Sequence, residues 1–399
     1  MLKSLVPPRL PARTPTATPS PASQRRGSGG SASVASNNTF SDATPLNSST
    51  AGGRRSSNSV ERSIQVCVRI RPLNHREMQM QGHDRPSWRW DNDKIVQNVV
   101  PGTEKTSNNT AQLAGFEFDH LFYPDSLTQD IYEKAVKGVV LRTMEGYHGS
   151  VLAYGQTSTG KTFTMGGVGT QPGVIPLAVE ECFGYVAIYN EQINDLLCPA
   201  STNVRIVSDK RDGVAVVGNK SEVVISPQQV YALISAGEAQ RHIGATDANK
   251  NSSRSHTIFR MTIESRARDG GSGKQRSRVS TLSLVDLAGS ESAKLSNTRG
   301  ERQLEGAFIN RSLLTLGHII YKLTEEDRSG RANEDFQKHL PYRDSKLTRL
   351  LQPSLGGNAQ IAIICTVSPA AANVEETRNT LKFASRAKRM RNTARVSQP

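Results

Sequence analysis

Ile64, Val66, Val68 and Ile70 alternate with Gln65, Cys67 and Arg69, the period-two pattern of a strand, and Arg71-Pro72 ends it. Apolar runs at residues 150–154, 279–285 and 361–367 are short and nearly continuous, as expected of strands buried on both faces. Period-3.6 patterns over residues 129–145, 227–242, 309–323 and 374–390 predict helices between and after them. Strands alternating with helices predict an α/β fold around a mostly parallel or mixed sheet flanked by helices. The chain shows no internal repeat.

The pattern is absent before residue 63. Residues 1–62 are rich in Ser, Thr, Pro, Gly and Arg and almost free of aromatics, so they cannot bury enough apolar area to offset their ordering entropy. We read them as a disordered basic extension, with Lys3, Arg9, Arg13, Arg25, Arg26, Arg54, Arg55 and Arg62 against Asp42 and Glu61. Thr14-Pro15, Thr18-Pro19, Ser20-Pro21 and Thr44-Pro45 are candidate proline-directed phosphorylation sites. The whole chain carries a formal net charge of +14. That balance favours an acidic polymer or surface as partner without choosing between nucleic acid, membrane and protein filament. Cys67, Cys182, Cys198 and Cys365 are scattered, with no C-x-x-C pair, and are expected to be reduced thiols. No signal-peptide pattern or stretch of about 18 apolar residues is present, so an intracellular, aqueous setting is expected.

Chemistry enters at Gly155-Gln156-Thr157-Ser158-Thr159-Gly160-Lys161-Thr162, a G-x-x-x-x-G-K-T loop directly after an apolar run ending at Tyr154. Its backbone N–H groups can close around phosphate oxygens at the positive end of the following helix. Lys161 would neutralise the β/γ-phosphates of a bound nucleotide and the Thr162 hydroxyl would ligate Mg²⁺. Asp286, ending the strand before Leu287-Ala288-Gly289, would hold Mg²⁺ through water, and the Gly289 N–H would meet the γ-phosphate. Asn249-x-x-Ser252-Ser253-Arg254-Ser255-His256 supplies hydroxyls suited to the γ-phosphate and to the metal's water shell. Either loop alone is weak, but with the phosphate loop they specify a nucleotide switch of the P-loop NTPase kind.

These three loops, in this order, resemble the nucleotide loops of the kinesin motor domain. Arg69-Ile70-Arg71-Pro72, Asn310-Arg311-Ser312-Leu313 and the run from Pro341 to Leu351 add to the match. The detail of Ser255-His256-Thr257-Ile258-Phe259-Arg260-Met261 is most similar to the CENP-E-like subfamily, in a fungal member with a basic N-terminal extension. The resemblance implies a motor domain over residues 63–390 with a central eight-stranded sheet. It implies an ATP-hydrolysing, plus-end-directed motor whose partner is the microtubule (tubulin) rather than nucleic acid or membrane, in the cytoplasm on the cytoskeleton. It also implies residue roles: Arg69, Pro72 and Tyr147 around adenine, and an Arg254–Glu291 salt bridge closing the switch loops over ATP. It further implies that Glu291 accepts the proton of the attacking water through a second water, and that Asn310 senses the closure. Ser252 and Ser253 belong to the same catalytic loop, with Ser253 joining Thr162 and Asp286 at the metal.

Arg343, Lys346 and Arg349, spaced by three, with Lys338 before them, fall on one side of a predicted helix beside Leu347, Leu350 and Leu351. Within the resemblance they correspond to contacts with acidic tubulin, and Lys210 and Arg211 to a second contact. Ile309, Leu313, Leu316, Ile320 and Leu323 form a stripe suited to a buried relay helix. Residues 391–399 resemble the start of a neck linker, here cut short; a longer native chain is expected to be a homodimer through a stalk. Phe163 and Ser292 depart from the commonest family residues, the former keeping an aromatic face. The largest departure lies near residues 184–187, where roughly fifteen residues, a helix end and most of a typical strand, are missing against the family pattern.

Overall fold

The computed structural model describes residues 60–81, 86–98, 115–180, 182, 186–189, 192–198, 200–201, 204–209, 213–243, 254–266, 277–291, 301–329 and 340–397. They belong to a unit spanning Arg55–Pro399. Its centre is an eight-stranded sheet. We label its strands β1 (Gln65–Ile70), β2 (His120–Phe122), β3 (Gly149–Tyr154), β4 (Val186–Tyr189), β5 (Gln192–Asn194), β6 (His256–Arg266), β7 (Ser277–Asp286) and β8 (Gln360–Val367). Their spatial order is β5-β4-β6-β7-β3-β8-β1-β2. The half from β7 through β2 pairs in parallel, and the half from β5 to β7 pairs antiparallel.

The helices used below are α1 (Lys161–Gly166), α2 (Val174–Val179), α3 (Pro227–Ile243), α4 (Glu301–Ser329), α5 (Lys346–Leu350) and α6 (Val374–Ala387). Side chains two apart on a strand share a face, so each central strand feeds two cores. Ile361, Ile363, Cys365 and Val367 of β8 pack with Leu313, Leu316, Ile319 and Ile320 of α4 and Leu381 and Ala384 of α6. Ala362 and Ile364 face the other way, towards Met165, Val174 and Ile175 and towards Ile131, Tyr132 and Val136 of a helical stretch that includes a π-turn at Tyr132–Val136. This double burial explains why the strands read as continuous apolar runs. All four cysteines are free thiols. No described helix is long and apolar enough to cross a membrane.

Two local features depart from a regular reading of the chain. The disorder expected up to residue 62 does not hold at its end: Val60–Ser63 pairs antiparallel with Arg391–Ala394, Val60 opposite Ala394 and Ser63 opposite Arg391. A sequence-local argument misses this because the hydrogen-bond partners lie more than three hundred positions away. Residues 1–59 lie outside the described residues. The second feature is the brevity of α2 and β4. After Cys182, whose N–H still bonds to the Ala178 carbonyl at 2.8 Å, the chain reaches β4 within a few residues. β4 then pairs with only His256, Thr257 and Ile258 of β6, whereas β6 continues to Arg266. Among the described residues, nothing pairs with the outer edge of β6 from Phe259 onward.

Candidate functional site

β3 and β7 run side by side in parallel, with Ala153 opposite Asp286, so the loops leaving both strands emerge together. That register assembles the site. After β3 the chain turns through Ser158 and Gly160, both with left-handed backbone (φ 64° and 98°), into α1. Glycine adopts this conformation freely, while a serine held there is strained and must be over-determined by its surroundings. Lys161 folds back, and its Nζ donates to the Gly155 and Gln156 carbonyls, 2.9 Å each. Burial pushes the Lys161 amine down, while the Asp286 and Glu291 carboxylates act in the opposite direction.

The Thr162 hydroxyl donates to Asp286 Oδ2 at 2.7 Å. Asp286 Oδ1 is buried with no hydrogen-bond partner. Burial raises the Asp286 carboxyl, and the Thr162 hydrogen bond, Arg241 and Lys161 pull it back. An orphaned carboxylate oxygen beside a hydroxyl is a hard oxygen donor set, the kind Mg²⁺ prefers. Ser290 N–H bonds to the Gly155 carbonyl at 3.0 Å, and the Glu291 carboxylate accepts from the Thr157 N–H at 2.8 Å and from the Thr157 hydroxyl. The two loops are therefore tied by backbone and side chain alike.

Sequence reasoning missed Arg241. It projects from the last turn of α3, its Nη1 4.0 Å from Asp286 Oδ2 and 3.5 Å from Glu238 Oε1, while its Nε donates to the Ser255 hydroxyl at 3.2 Å. No local signal marks it, because an arginine near a helix end is ordinary. Arg254 lies in the turn before β6 and is half-buried. Asn310, on α4, lines a groove of about 690 Å³ with Tyr154, Ser290 and Phe383; the Tyr154 and Phe383 rings stack at 3.8 Å. Asn249, Ser252, Ser253, Ser292, Lys210, Arg211 and Lys338 lie outside the described residues.

At the expected adenine position, Arg69 is buried and donates to the Thr128 and Thr164 hydroxyls at 3.0 and 2.9 Å. Its guanidinium lies 4.9 Å from the Phe163 ring centroid. Pro72 is exposed just beyond β1, beside Arg71, whose Nε reaches the Ser158 carbonyl at 2.9 Å. Tyr147 must be removed from this group. It precedes β3 and bridges to Val396, with Arg142 over its ring at 5.7 Å. The phosphate loop leaves the other end of that strand, about 20 Å away at the usual rise per residue.

The basic face is interrupted. Arg343 is exposed in a 3-10 turn (Tyr342–Asp344), and Ser345, extended at φ −143°, caps α5 by accepting from Leu347 N–H at 3.1 Å. Lys346 is exposed and Arg349 half-buried on α5, while Leu347 and Leu351 are in the core. One continuous helix carrying all three charges is thus replaced by a turn and a five-residue helix. The serine's capping preference breaks the period.

The C-terminal segment is anchored. Asn392 is buried, and its Nδ2 donates to the Ser354 and Ala359 carbonyls, 3.0 Å each. Ser397 N–H reaches the Gly146 carbonyl at 2.9 Å. Asn392→Ala leaves two buried carbonyls without their donor and is expected to cost about 1–3 kcal/mol. A thermal melt, with a fluorescent probe on residue 397 reporting release of the segment, checks this; an unchanged melt and an immobile probe would refute it.

His256, the first residue of β6, is buried and neutral: burial, aided by Lys161 and Arg241, pushes its imidazole down from 6.5 to about 3. Below about pH 6.5 the unfolded chain binds a proton that the native chain refuses, so this contribution to stability is lost as pH falls towards 3. Melting temperature should therefore drop less steeply between pH 6.5 and 5 in His256→Asn than in the parent. Parallel slopes would contradict the assignment.

A fold of strands and helices around one phosphate loop, with a second loop bonded across it, defines a P-loop nucleotide switch. The family model for the kinesin motor domain matches residues 69–390, and the chain belongs to that family. It is 44% identical to the kinesin-like protein KIN-7M, chloroplastic, of Arabidopsis thaliana, over 97% of this chain and 37% of that protein. It is 43% identical to kinesin-related protein 4 of Dictyostelium discoideum, over 84% of this chain and 17% of that protein. The chain thus spans well under half the length of these relatives. Among solved structures it resembles a KIF14 dimer in a two-heads-bound state with AMP-PNP on a microtubule (TM-score 0.74, 32% identity, 85% of this chain and 97% of that one). It also resembles a fast kinesin (TM-score 0.72, 36% identity, 84% and 94%).

Proposed function

We propose that this chain is the motor module of a microtubule-based motor that hydrolyses ATP. The observation that carries this reading is the join between the two loops: Thr162 on Asp286, and Thr157 on Glu291. A terminal phosphate bound by the Gly155–Thr162 loop would meet both contacts, so its presence or loss changes how the loops sit. Lys161 is close enough to exchange its two carbonyl partners for phosphate oxygens. Thr162, Ser253 and Asp286 would hold Mg²⁺, which neutralises charge on the β- and γ-phosphates when bound. Ser252, Arg254 and Gly289 would surround the γ-phosphate, Glu291 would orient and deprotonate water, and Asn310 would register closure on α4. Arg69, Pro72 and Phe163 would pack on adenine. Positioning and charge neutralisation supply the rate, with little covalent work for the protein.

Arg343, Lys346 and Arg349, with Lys338, Lys210 and Arg211, would contact acidic tubulin. Such contacts weaken with salt, so co-sedimentation with microtubules is expected to fall about tenfold or more between 50 and 200 mM salt. Salt-insensitive binding would contradict this. We further propose plus-end-directed movement, from the order motor then linker, and membership of the kinesin-7 or CENP-E-like branch, which similarity to the KIN-7 proteins supports. The domain plan of a basic extension, a motor over 63–390 and a linker over 391–399, dimerisation through a stalk in a longer native chain, and residence on the cytoplasmic cytoskeleton belong to the same reading.

A second reading, a nucleotide-gated microtubule binder without productive motion, is favoured by one observation: the truncated pairing of β4 with β6. ATPase rates with microtubules, with nucleic acid and with neither, followed by surface gliding, separate them. Stimulation with gliding supports the motor, stimulation without gliding the second reading, and stimulation by nucleic acid alone defeats both.

A further inference from the structure

We propose that His256 is a positioning residue that couples the Asp286–Glu291 loop to the long helix α4. The inference rests on the motor reading and adds to it a specific mechanical link. Three hydrogen bonds define that link. The Ala288 N–H donates to His256 Nδ1 at 3.0 Å. His256 Nε2 lies 2.7 Å from the Ser312 hydroxyl oxygen. The Ser312 hydroxyl lies 2.7 Å from the Ile309 carbonyl.

Their directions follow from elementary bookkeeping. A backbone N–H can only donate, so Nδ1 must be the unprotonated nitrogen and a neutral ring carries its proton on Nε2. A carbonyl can only accept, so the Ser312 hydroxyl gives its proton to Ile309 and offers a lone pair to Nε2–H. The chain therefore runs one way only, from Ala288 through the ring and the serine to the backbone of α4. Every donor and acceptor along it is used.

Its placement gives it mechanical meaning. Ala288 immediately precedes Gly289, and Ser312 lies two residues beyond Asn310, on the same helix, where Asn310 faces the groove shared with Ser290. Ala288 is fully buried, Ser312 is 1% exposed and His256 5%, so water cannot readily replace a broken link. A buried donor or acceptor left unpaired is costly. A shift of the loop must therefore carry the ring and helix with it, or break a bond that nothing nearby restores. The ring sits on the first residue of β6, held in register opposite β7 at Thr257–Asp286. The pivot thus stands on the sheet while both moving parts hang from it.

Two variants cut the same link from opposite ends. Ser312→Ala removes the hydroxyl. His256→Asn keeps an acceptor near the place of Nδ1 for the Ala288 N–H but cannot reach Ser312. Each should lower the microtubule-stimulated kcat about tenfold, with the nucleotide Kd and the KM for microtubules moving less than about threefold. The double variant should be no slower than the slower single, as expected of one shared interaction. Hydrogen exchange gives an independent readout: binding of a non-hydrolysable ATP analogue should alter protection along α4 in the parent and not in Ser312→Ala.

Multiplicative effects in the double variant would overturn the proposal, and an unaltered exchange response in Ser312→Ala would overturn it even if His256→Asn fails to fold. A parent that binds nucleotide without microtubule stimulation would sink the motor reading alone, leaving the exchange readout to decide this one. A parent that binds no nucleotide would sink both.

Discussion

Alanine at Glu291 is expected to leave nucleotide bound and to slow turnover about 10²- to 10⁴-fold, the range a positioned general base supplies. The carboxylate stands over the phosphate loop, accepting from Thr157 N–H at 2.8 Å, so it is already held within reach of anything that loop binds. Gly289 makes this approach possible: a Cβ there would collide with the Thr157 hydroxyl and the Glu291 carboxylate. Nucleotide affinity is expected to rest instead on the backbone cradle, Lys161 and Thr162, which the substitution does not touch. Arg254→Ala is expected to behave alike, and the pair of substitutions should be no worse than either, as for residues acting as a unit. Fluorescent-nucleotide binding alongside steady-state phosphate release separates the two properties. Turnover at the parent rate in either variant would remove the proposed switch closure.

Restoring the short segment should have the largest effect on stability. Inserting between α2 and β4 about fifteen residues, a helix end and a strand of alternating apolar positions, is expected to extend β4 along β6. About five new ladder hydrogen bonds at about 1 kcal/mol each contribute about 5 kcal/mol. For a domain of this size that raises Tm by about 10 °C or more. The edge it covers, Phe259 to Arg266, alternates buried Phe259 and Met261 with exposed Thr262 and Glu264. Such an edge invites pairing with other chains. Microtubule-stimulated ATPase activity should rise with the melt. Identical melts and rates with and without the insertion would show that the short form lacks nothing.

The candidate site was legible wherever its chemistry is contiguous. Eight consecutive residues, Gly155 to Thr162, carry the phosphate loop, and their spacing alone announces it. The strand-ending acid and the turn after it extended this to Asp286 and Gly289, and the resemblance added Glu291; the structure brings all three against that loop. Arg241 was invisible because its partner Asp286 is forty-five positions away and only the packing of α3 against the sheet introduces them. Tyr147 was placed at adenine by the resemblance alone, and the whole length of β3 separates it from the phosphate loop. The basic face was read as one helix because charge spacing was legible and the Ser345 cap was not.

Taken alone, the amino-acid order determined the parts: which stretches are strands buried on both faces, where a phosphate-binding loop is expected, and that residues 1–62 lack the apolar content of a core. These are local matters, settled by side-chain period and by backbone groups a few residues apart. Tertiary structure alone decided how the parts meet: Val60–Ser63 against Arg391–Ala394, Arg241 beside Asp286, and His256 between Ala288 and Ser312. Such meetings depend on strand register and helix docking, which sum many weak contacts over the whole sheet and leave no mark at any single position.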